Sequence, residues 1–222
     1  MLRRFAALGD IHAEEERLAA SLAWIAGQDV DAVLAVGDIV DGPGDVGRCC
    51  ELLRAHGAVV VRGNHDRWLL ADEMRGQADA QRRGDLDADT LAFLSGLPRT
   101  RRLATVRGEL LLCHGVGDDD MRRLVPSSPG LEFDLDQLGD PALRIAVGGH
   151  THERMVRTFP RPGGPPLTFV NPGTLRAPAR SHVPACGFFV VDLAAGGVQI
   201  LDLVEVDGAI AVVAGGSLRF AS

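Results

Sequence analysis

The amino-acid sequence predicts an α/β protein in which two sheets pack together with helices outside them. In the first half of the chain, short aliphatic runs alternate with stretches of helical periodicity, which is the pattern of βαβ units. In the second half, strands follow one another with few helices between them. A chain of 222 residues can bury one sizeable core, so we expect a single domain over residues 1–222.

The first half contains the predicted crossover helices. Leu18, Leu22 and Ile25 fall on one side of the first helix, which has acidic residues at its start. Gly57 ends the second helix. The predicted strands are 4–8, 33–36 and 58–62, and the predicted helices are 13–26, 46–56, 67–75 and 87–97.

The second half contains mainly strands. Its predicted strands are 103–106, 109–113, 144–147, 167–170, 187–193, 198–204 and 209–213. Between them, residues 117–141 are rich in Asp, Pro and Ser, which favours an irregular insertion over a core element. We interpret this segment as a lid-like insertion, and the sequence does not predict whether it moves.

Composition excludes several classes of protein. The net charge is −7 and no large Lys/Arg cluster is present, which argues against a nucleic-acid-binding surface. No apolar run approaches the ~18 residues of a membrane span. The four cysteines include the adjacent pair Cys49 and Cys50, which cannot easily bond to each other, so reduced thiols in a cytoplasmic protein are expected. The sequence does not predict the oligomeric state.

Polar residues of metal-binding type follow five of the predicted strands. Because loops at the carboxyl ends of strands converge on one crevice in an α/β sheet, these clusters should meet in space. Five of the seven histidines lie in them. The clusters are Asp10 and His12; Gly37-Asp38-Ile39-Val40-Asp41; Gly63-Asn64-His65-Asp66; His114; and Gly149-His150-Thr151-His152.

These side chains suit a metal ion of borderline hardness. Imidazole and carboxylate ligands favour Zn, Fe or Mn, whereas the Cys thiolates of a structural zinc site are missing from the clusters. Residues at i and i+2 at a strand end project to one side, so Asp10 with His12, and His150 with His152, can each reach one ion. A single Asp-x-His would mean little, but five clusters in this order indicate a metal centre.

The ordered motifs resemble those of the calcineurin-like metallophosphoesterases. Asp-x-His, Gly-Asp-x-x-Asp, Gly-Asn-His-Asp, a separate His and Gly-His-Thr-His run from Asp10 to His152. The following Asn171-Pro172-Gly173-Thr174 is similar to a turn of small bacterial members, and His182 beyond it is a candidate to line the pocket. The resemblance implies a four-layer α/β/β/α sandwich of two mixed sheets.

The resemblance also implies a ligand set for two divalent ions. Asp38 would bridge them, and His65, oriented by Asp41, would stabilise the transition state or protonate the leaving oxygen. Manganese is favoured, with Fe, Zn, Ni or Co as alternatives. One ion would be held by Asp10, His12, Asp38 and His152, and the other by Asp38, Asn64, His114 and His150.

The expected reaction is hydrolysis of a phosphate ester by a hydroxide that bridges the two ions. Two dications exceed the two negative charges of Asp10 and Asp38, so the pocket should attract phosphate within an acidic protein. Metal ions deprotonate a bound water near neutral pH and neutralise the phosphoryl oxygens. The expected substrate is a small-molecule ester or nucleotide, as monoester or diester.

Several alternatives stay open at the level of sequence. A dinucleoside polyphosphate hydrolase would use the same centre, and so would a protein phosphatase. Protein phosphatases of this superfamily usually have Arg after the second Asp of the second motif, where this chain has Gly42. His65 keeps monoesters possible, because some small diesterases have Cys at this position. A non-catalytic scaffold would be expected to lack ligands or the catalytic His, and none is missing from this sequence. A metal-binding regulator without turnover is a third hypothesis.

Overall fold

The strands of the computed structural model form two mixed sheets in the part of the chain that it describes, residues 1–130, 134–162 and 164–220. The strands are β1 (Arg4–Leu8), β2 (Ala32–Ala35), β3 (Val59–Val60), β4 (Arg101–Thr105), β5 (Gly108–Leu112), β6 (Leu143–Val147), β7 (Met155–Arg161), β8 (Gly164–Asn171), β9 (Gly187–Asp192), β10 (Gly197–Val206) and β11 (Ala209–Arg219). The helices are α1 (Glu15–Ala26), α2 (Val46–Ala55), α3 (Asn64–Ala71), α4 (Ala88–Ser95) and α5 (Leu135–Leu138).

Each sheet contains three neighbouring parallel strands, and antiparallel strands extend it. The first sheet has the order β11-β10-β9-β1-β2-β3, in which β1, β2 and β3 are parallel and the remaining pairs antiparallel. The second has the order β4-β5-β6-β8-β7, with β5, β6 and β8 parallel and an antiparallel strand at each edge. Parallel neighbours end at the same edge, so the loops after β1, β2 and β3 lie together at one edge of the first sheet, and those after β5 and β6 lie together at one edge of the second.

Three apolar layers follow from the alternation of side chains along the strands. On β1, Ala6 and Leu8 face α1 and α2, whereas Phe5 and Ala7 face the second sheet. A third cluster covers the outer face of the second sheet. The α/β architecture of two mixed sheets with helices confirms the fold class predicted from the sequence.

The segment that the sequence marks as an insertion contributes to the outermost layer. Leu124 and Leu138 are buried there against strand residues such as Leu143 and Phe169. The short helix α5 lies within this segment, while residues 131–133 lie outside the described part. Its buried leucines anchor the segment to the second sheet, and its lid-like character stays a prediction.

Some element boundaries differ from those predicted. Strand β7 was not predicted, because Arg157 and Pro160 interrupt its apolar residues; as an edge strand it tolerates both. Helix α3 begins at Asn64, three residues before the predicted start, so the third polar cluster occupies its first turn.

None of the helices in the described ranges is both long and apolar enough to cross a bilayer.

The layer between the sheets should contribute strongly to the free energy of unfolding. Leu112 is fully buried there, whereas Leu218 on β11 is 42% exposed. We expect Leu112→Ala to lower the free energy of unfolding by about 2–5 kcal/mol, because it leaves a cavity between two sheets. The matched Leu218→Ala should change it by less than about 0.5 kcal/mol. Urea unfolding measures both, and equal losses would contradict the assigned layers.

Candidate metal centre

The nine site residues predicted from the sequence form one continuous cluster at the carboxyl ends of five strands. The structure links each of them to another through a short contact between side chains. They are Asp10 and His12 after β1, Asp38 and Asp41 after β2, Asn64 and His65 after β3, His114 after β5, and His150 and His152 after β6.

Asp38 lies at the middle of this cluster. Its Oδ2 is 3.9 Å from His12 Nε2 on one side and 3.3 Å from His114 Nε2 on the other. Two groups of donor atoms share it, each with its atoms within 4.8 Å of one another: His12, Asp38 and His65, and Asp10, Asp38 and His114. A carboxylate common to two such groups could hold two ions.

On the first side of Asp38, donor atoms of three residues converge. His12 Nε2 is 3.1 Å from His152 Nε2, and Asp10 Oδ2 is 3.3 Å from the same nitrogen. Asp10 Oδ2 is buried, and it has no hydrogen-bond partner among the described residues. Buried polar atoms are seldom left unpaired in this way. These residues therefore fit a cation, and their imidazole and carboxylate donors suit a borderline divalent metal.

On the second side, the amide oxygen of Asn64 lies between two histidines. Its Oδ1 is 2.9 Å from His114 Nε2 and 2.8 Å from His150 Nδ1. His114 Nδ1 donates to the Val36 carbonyl at 2.8 Å, so a neutral ring has its lone pair on Nε2. A backbone carbonyl that fixes the tautomer of an imidazole is a common feature of metal ligands.

The same arrangement fixes His12. Its Nδ1 donates to the carbonyls of Val40 and Asp41, at 3.2 and 3.1 Å, which leaves Nε2 to face Asp38. The loop after β2 therefore orients a side chain from the loop after β1.

Burial governs the protonation of the imidazoles that face the centre. It lowers the pKa of His12 to about 4, of His150 to about 4 and of His152 to about 2. Burial also disfavours a charged His114, but the charge and hydrogen bond of Asp38 outweigh it and raise the His114 pKa to about 10. Three of these rings are therefore neutral near pH 7, with lone pairs available to a metal.

The two central carboxylates are unequal. Burial raises the pKa of Asp10 to about 7, opposed by the nearby His114. Burial would also raise the pKa of Asp38, but His114, His65 and His12 together hold it well below its usual range. A dication would favour the charged form of both.

Five of the nine residues have a left-handed backbone that side chains rarely adopt. Such conformations cost about 1–3 kcal/mol each and persist where the surrounding structure enforces them, often at functional sites. The φ angles are 49° at His12, 49° at Asp38, 65° at Asp41, 66° at His150 and 59° at His152.

Two glycines allow the backbone to approach the carboxylates. A Cβ atom at Gly63 would lie 2.1 Å from Asp38 Oδ1, and one at Gly149 would lie 2.6 Å from Asp10 Oδ1. Any larger residue at either position would displace an acidic side chain of the cluster.

His65 and Asp41 form the pair expected from the sequence, with His65 Nδ1 2.7 Å from Asp41 Oδ2. Two further residues, which no sequence pattern indicates, contact this pair. Arg75 donates to both oxygens of the same carboxylate at 2.8 and 2.9 Å. Gln81 Oε1 accepts from the Asp41 amide at 2.5 Å. Both lie between α3 and α4, in a polar stretch with no local signal of a role.

Asp66 is a third residue whose function the sequence did not reveal. Its Oδ1 accepts from the Ile39 amide at 2.8 Å and its Oδ2 from the Gly63 amide at 2.9 Å. Burial raises its pKa to about 6. Asp66 thus joins the loops after β2 and β3, and its place in the third motif was the only signal.

The turn at Asn171-Pro172-Gly173-Thr174 hydrogen-bonds to loops that carry residues of the cluster. Asn171 Nδ2 donates to the Gly149 carbonyl at 3.0 Å and to Thr151 Oγ1 at 2.9 Å. Thr174 Oγ1 donates to the Asp10 carbonyl at 2.8 Å. The turn therefore fixes the loops that present Asp10, His150 and His152.

A cavity of about 950 Å³ lies elsewhere, between the start of α1 and the β10–β11 hairpin, and none of the nine residues lines it. Its arginines are already paired with carboxylates: Arg17 and Arg180 with Glu14, and Arg154 with Asp202. The cavity therefore offers little free positive charge to a phosphate.

Two mixed sheets with a cluster of metal-type ligands at their shared edge define a metallophosphoesterase architecture. The chain belongs to the calcineurin-like phosphoesterase superfamily, since the model described as "Calcineurin-like phosphoesterase superfamily domain" matches residues 4–196. No curated protein matches the sequence. The superfamily binds divalent metals, and the donor groups around Asp38 could hold them.

Solved structures share the fold at low sequence identity. A metallophosphoesterase from Sphaerobacter thermophilus is 23% identical, with 88% of this chain and 85% of that chain covered and a TM-score of 0.66. YfcE, a phosphoesterase from E. coli, is 18% identical over 96% and 100%, with a TM-score of 0.55. Vps29 from Entamoeba histolytica, complexed with Zn²⁺, is 18% identical over 97% and 98%, with a TM-score of 0.54.

Metal binding should tighten as the pH rises. Asp10 and His114 have raised pKa values, about 7 and about 10, and each must lose its proton before a dication binds there. We expect the affinity for Mn²⁺ to increase at least about tenfold from pH 6 to pH 8. Isothermal titration calorimetry measures it.

The variant Asp10→Asn is the matched control for this titration. It lacks the carboxyl that titrates near pH 7, so its residual affinity should depend less on pH. An affinity of the unaltered protein that is the same at both pH values would contradict the proposed competition between protons and metal.

Proposed function

We propose that this protein hydrolyses phosphate esters of small molecules or nucleotides with the help of two divalent metal ions. The observation that supports this most directly is the position of Asp38 between two groups of donor atoms, 3.9 Å from His12 Nε2 and 3.3 Å from His114 Nε2. Paired ions bridged by a carboxylate are typical of enzymes that attack phosphate esters with water.

The first ion is assigned to Asp10, His12, Asp38 and His152. Donor spacing alone groups His65 with His12 and Asp38. We place His65 outside the ligand set, because His152 Nε2 already converges with His12 Nε2 and Asp10 Oδ2 at 3.1 and 3.3 Å. The second ion is assigned to Asp38, Asn64, His114 and His150.

When bound, the two ions supply an activated water and neutralise the phosphoryl oxygens. Asp10 and Asp38 offset only two of their four charges, so the centre stays cationic in a protein of net charge −7. Manganese is our preferred metal, because carboxylate and amide oxygens stand beside the imidazoles in the ligand set.

His65 donates a proton to the leaving oxygen. Burial disfavours its charged form, but the hydrogen bond and charge of Asp41, with the charge of Asp38, raise its pKa above the usual value. Arg75 supports this role indirectly, since its two hydrogen bonds help to keep Asp41 ionised and in place. Proton donation of this kind typically contributes 10²–10⁴-fold to the rate.

Small substrates are favoured over phosphoproteins. A Cβ atom at Gly42 would lie 1.6 Å from the His12 carbonyl oxygen, so the arginine that protein phosphatases have at this position does not fit without moving the backbone. Phosphomonoesters, phosphodiesters and dinucleoside polyphosphates all remain within the proposal.

A reducing compartment such as the cytoplasm fits the four cysteines, which are free and buried.

A scaffold without turnover is the main rival. It would have no need to keep a complete ligand set, whereas the proposed ligands, His65 and Asp41 are all present in one cluster. The strained backbone at five of these positions is a further cost that a simple scaffold would not require.

Turnover and metal content should separate the proposed roles. With Mn²⁺, the protein should hydrolyse p-nitrophenyl phosphate, its bis diester, or both. His65→Ala should lower kcat by about 10²–10⁴-fold while the bound metal stays near the original content. Asp38→Asn should reduce the content of both ions, because it removes the shared carboxylate. Colorimetric assay and elemental analysis measure these quantities.

His56→Ala is the control, since His56 caps α2 through a bond to the Leu52 carbonyl and lies outside the cluster. It should behave like the unaltered protein. Equal metal loss in the His65 and Asp38 variants would overturn the division of roles. No hydrolysis of either ester with any divalent metal would favour the scaffold.

A further inference from the structure

A cavity of about 440 Å³ adjoins the proposed metal centre. His152, a proposed ligand, forms part of its wall, and its Nε2 is 3.3 Å from Asp10 Oδ2. A molecule in this cavity would therefore lie beside an ion held by His152. The volume is within the range of sites that bind small organic ligands.

We infer that this cavity receives the nucleoside part of a nucleotide substrate, with His182 as the residue that selects for it. The inference rests on the proposed function and adds the substrate class: a phosphate ester of a nucleoside. Its basis is the chemistry of the walls, which include Pro126, His152, Glu153, His182, Val183 and Pro184.

His182 presents an aromatic ring beside the centre. Its ring is stacked on that of His152, with centroids 5.1 Å apart and planes at 22°. Its Nε2 lies 3.1 Å from the Thr151 carbonyl, which fixes the ring's orientation. His182 is nonetheless exposed, so it is not simply a packed core residue. An exposed, oriented ring is a surface on which a nucleobase can stack.

The remaining walls suit a nucleoside better than a small polar alcohol. Pro126, Val183 and Pro184 provide apolar surface for the base and the sugar carbons. The carboxylate of Glu153 can accept hydrogen bonds from sugar hydroxyls or an exocyclic amino group. Pro126 is held in place by Arg157, which donates to its carbonyl at 3.0 Å.

A purely structural role for His182 is the competing explanation. Through Thr151 and the ring of His152, it would then support the loop that presents the metal ligands. Loss of the side chain would in that case weaken every phosphate ligand equally. A role in nucleoside binding would instead weaken ligands that contain a base.

Binding of adenosine 5′-monophosphate and of inorganic phosphate distinguishes the two roles when it is measured in the Mn²⁺-loaded His65→Ala background, which should keep its metal but hydrolyse the nucleotide slowly. We expect the nucleotide to bind at least about tenfold more tightly than phosphate, and His182→Ala to reduce that preference by about tenfold, or about 1.4 kcal/mol. His182→Phe, which keeps an aromatic ring but loses the bond to Thr151, should restore most of it. Isothermal titration calorimetry gives all the dissociation constants.

The remaining outcomes overturn the inference. They are a nucleotide that binds no more tightly than phosphate, equal weakening of both ligands in His182→Ala, or no recovery in His182→Phe. His56→Ala should leave both constants as they are. Failure of the proposed function would be recognised separately. In that case the unaltered protein would hydrolyse no phosphate ester, whether or not it bound the nucleotide more tightly than phosphate.

Discussion

The buried carboxylate of Asp38 is the feature on which the rest of the centre depends. It is 2% exposed, and an isolated negative charge in such a position is unfavourable unless other groups compensate it. His12 and His114 lie on either side of its Oδ2, while its Oδ1 accepts from the His65 amide at 2.9 Å. The loops of the cluster are therefore arranged around one acidic side chain.

Both sheets contribute proposed metal ligands to the cluster. Asp10, His12, Asp38 and Asn64 follow strands of the first sheet, whereas His114, His150 and His152 follow strands of the second. A metal held by both groups would bind only when the sheets are packed together. Such a ligand stabilises the fold by mass action, so metal affinity and folding stability should be linked in this protein.

Much of the cluster could be predicted from the sequence because its residues follow strands. Short aliphatic runs ending in Asp, Asn or His revealed both the parallel strands and the residues beyond them, and strand geometry required those residues to meet. The ligand set came from the family resemblance, and its assignment to two ions is a proposal that the distances support.

The supporting residues could not be predicted in the same way. Arg75 and Gln81 reach Asp41 from a polar segment whose path is set by tertiary contacts, and nothing in the local pattern indicates that path. The close approach of Gly42 to the His12 carbonyl, and the stacking of His182 on His152, likewise depend on how separate loops meet. Edge strand β7 was missed since its Arg and Pro residues obscure the apolar pattern.

The central claim is that Asp38 is shared by two metal ions, and anomalous diffraction from crystals grown with Mn²⁺ tests it most directly. We expect two anomalous peaks near the Asp38 carboxylate, one beside His12 and His152 and the other beside His114 and His150. A single peak, or peaks that contact neither oxygen of Asp38, would contradict it.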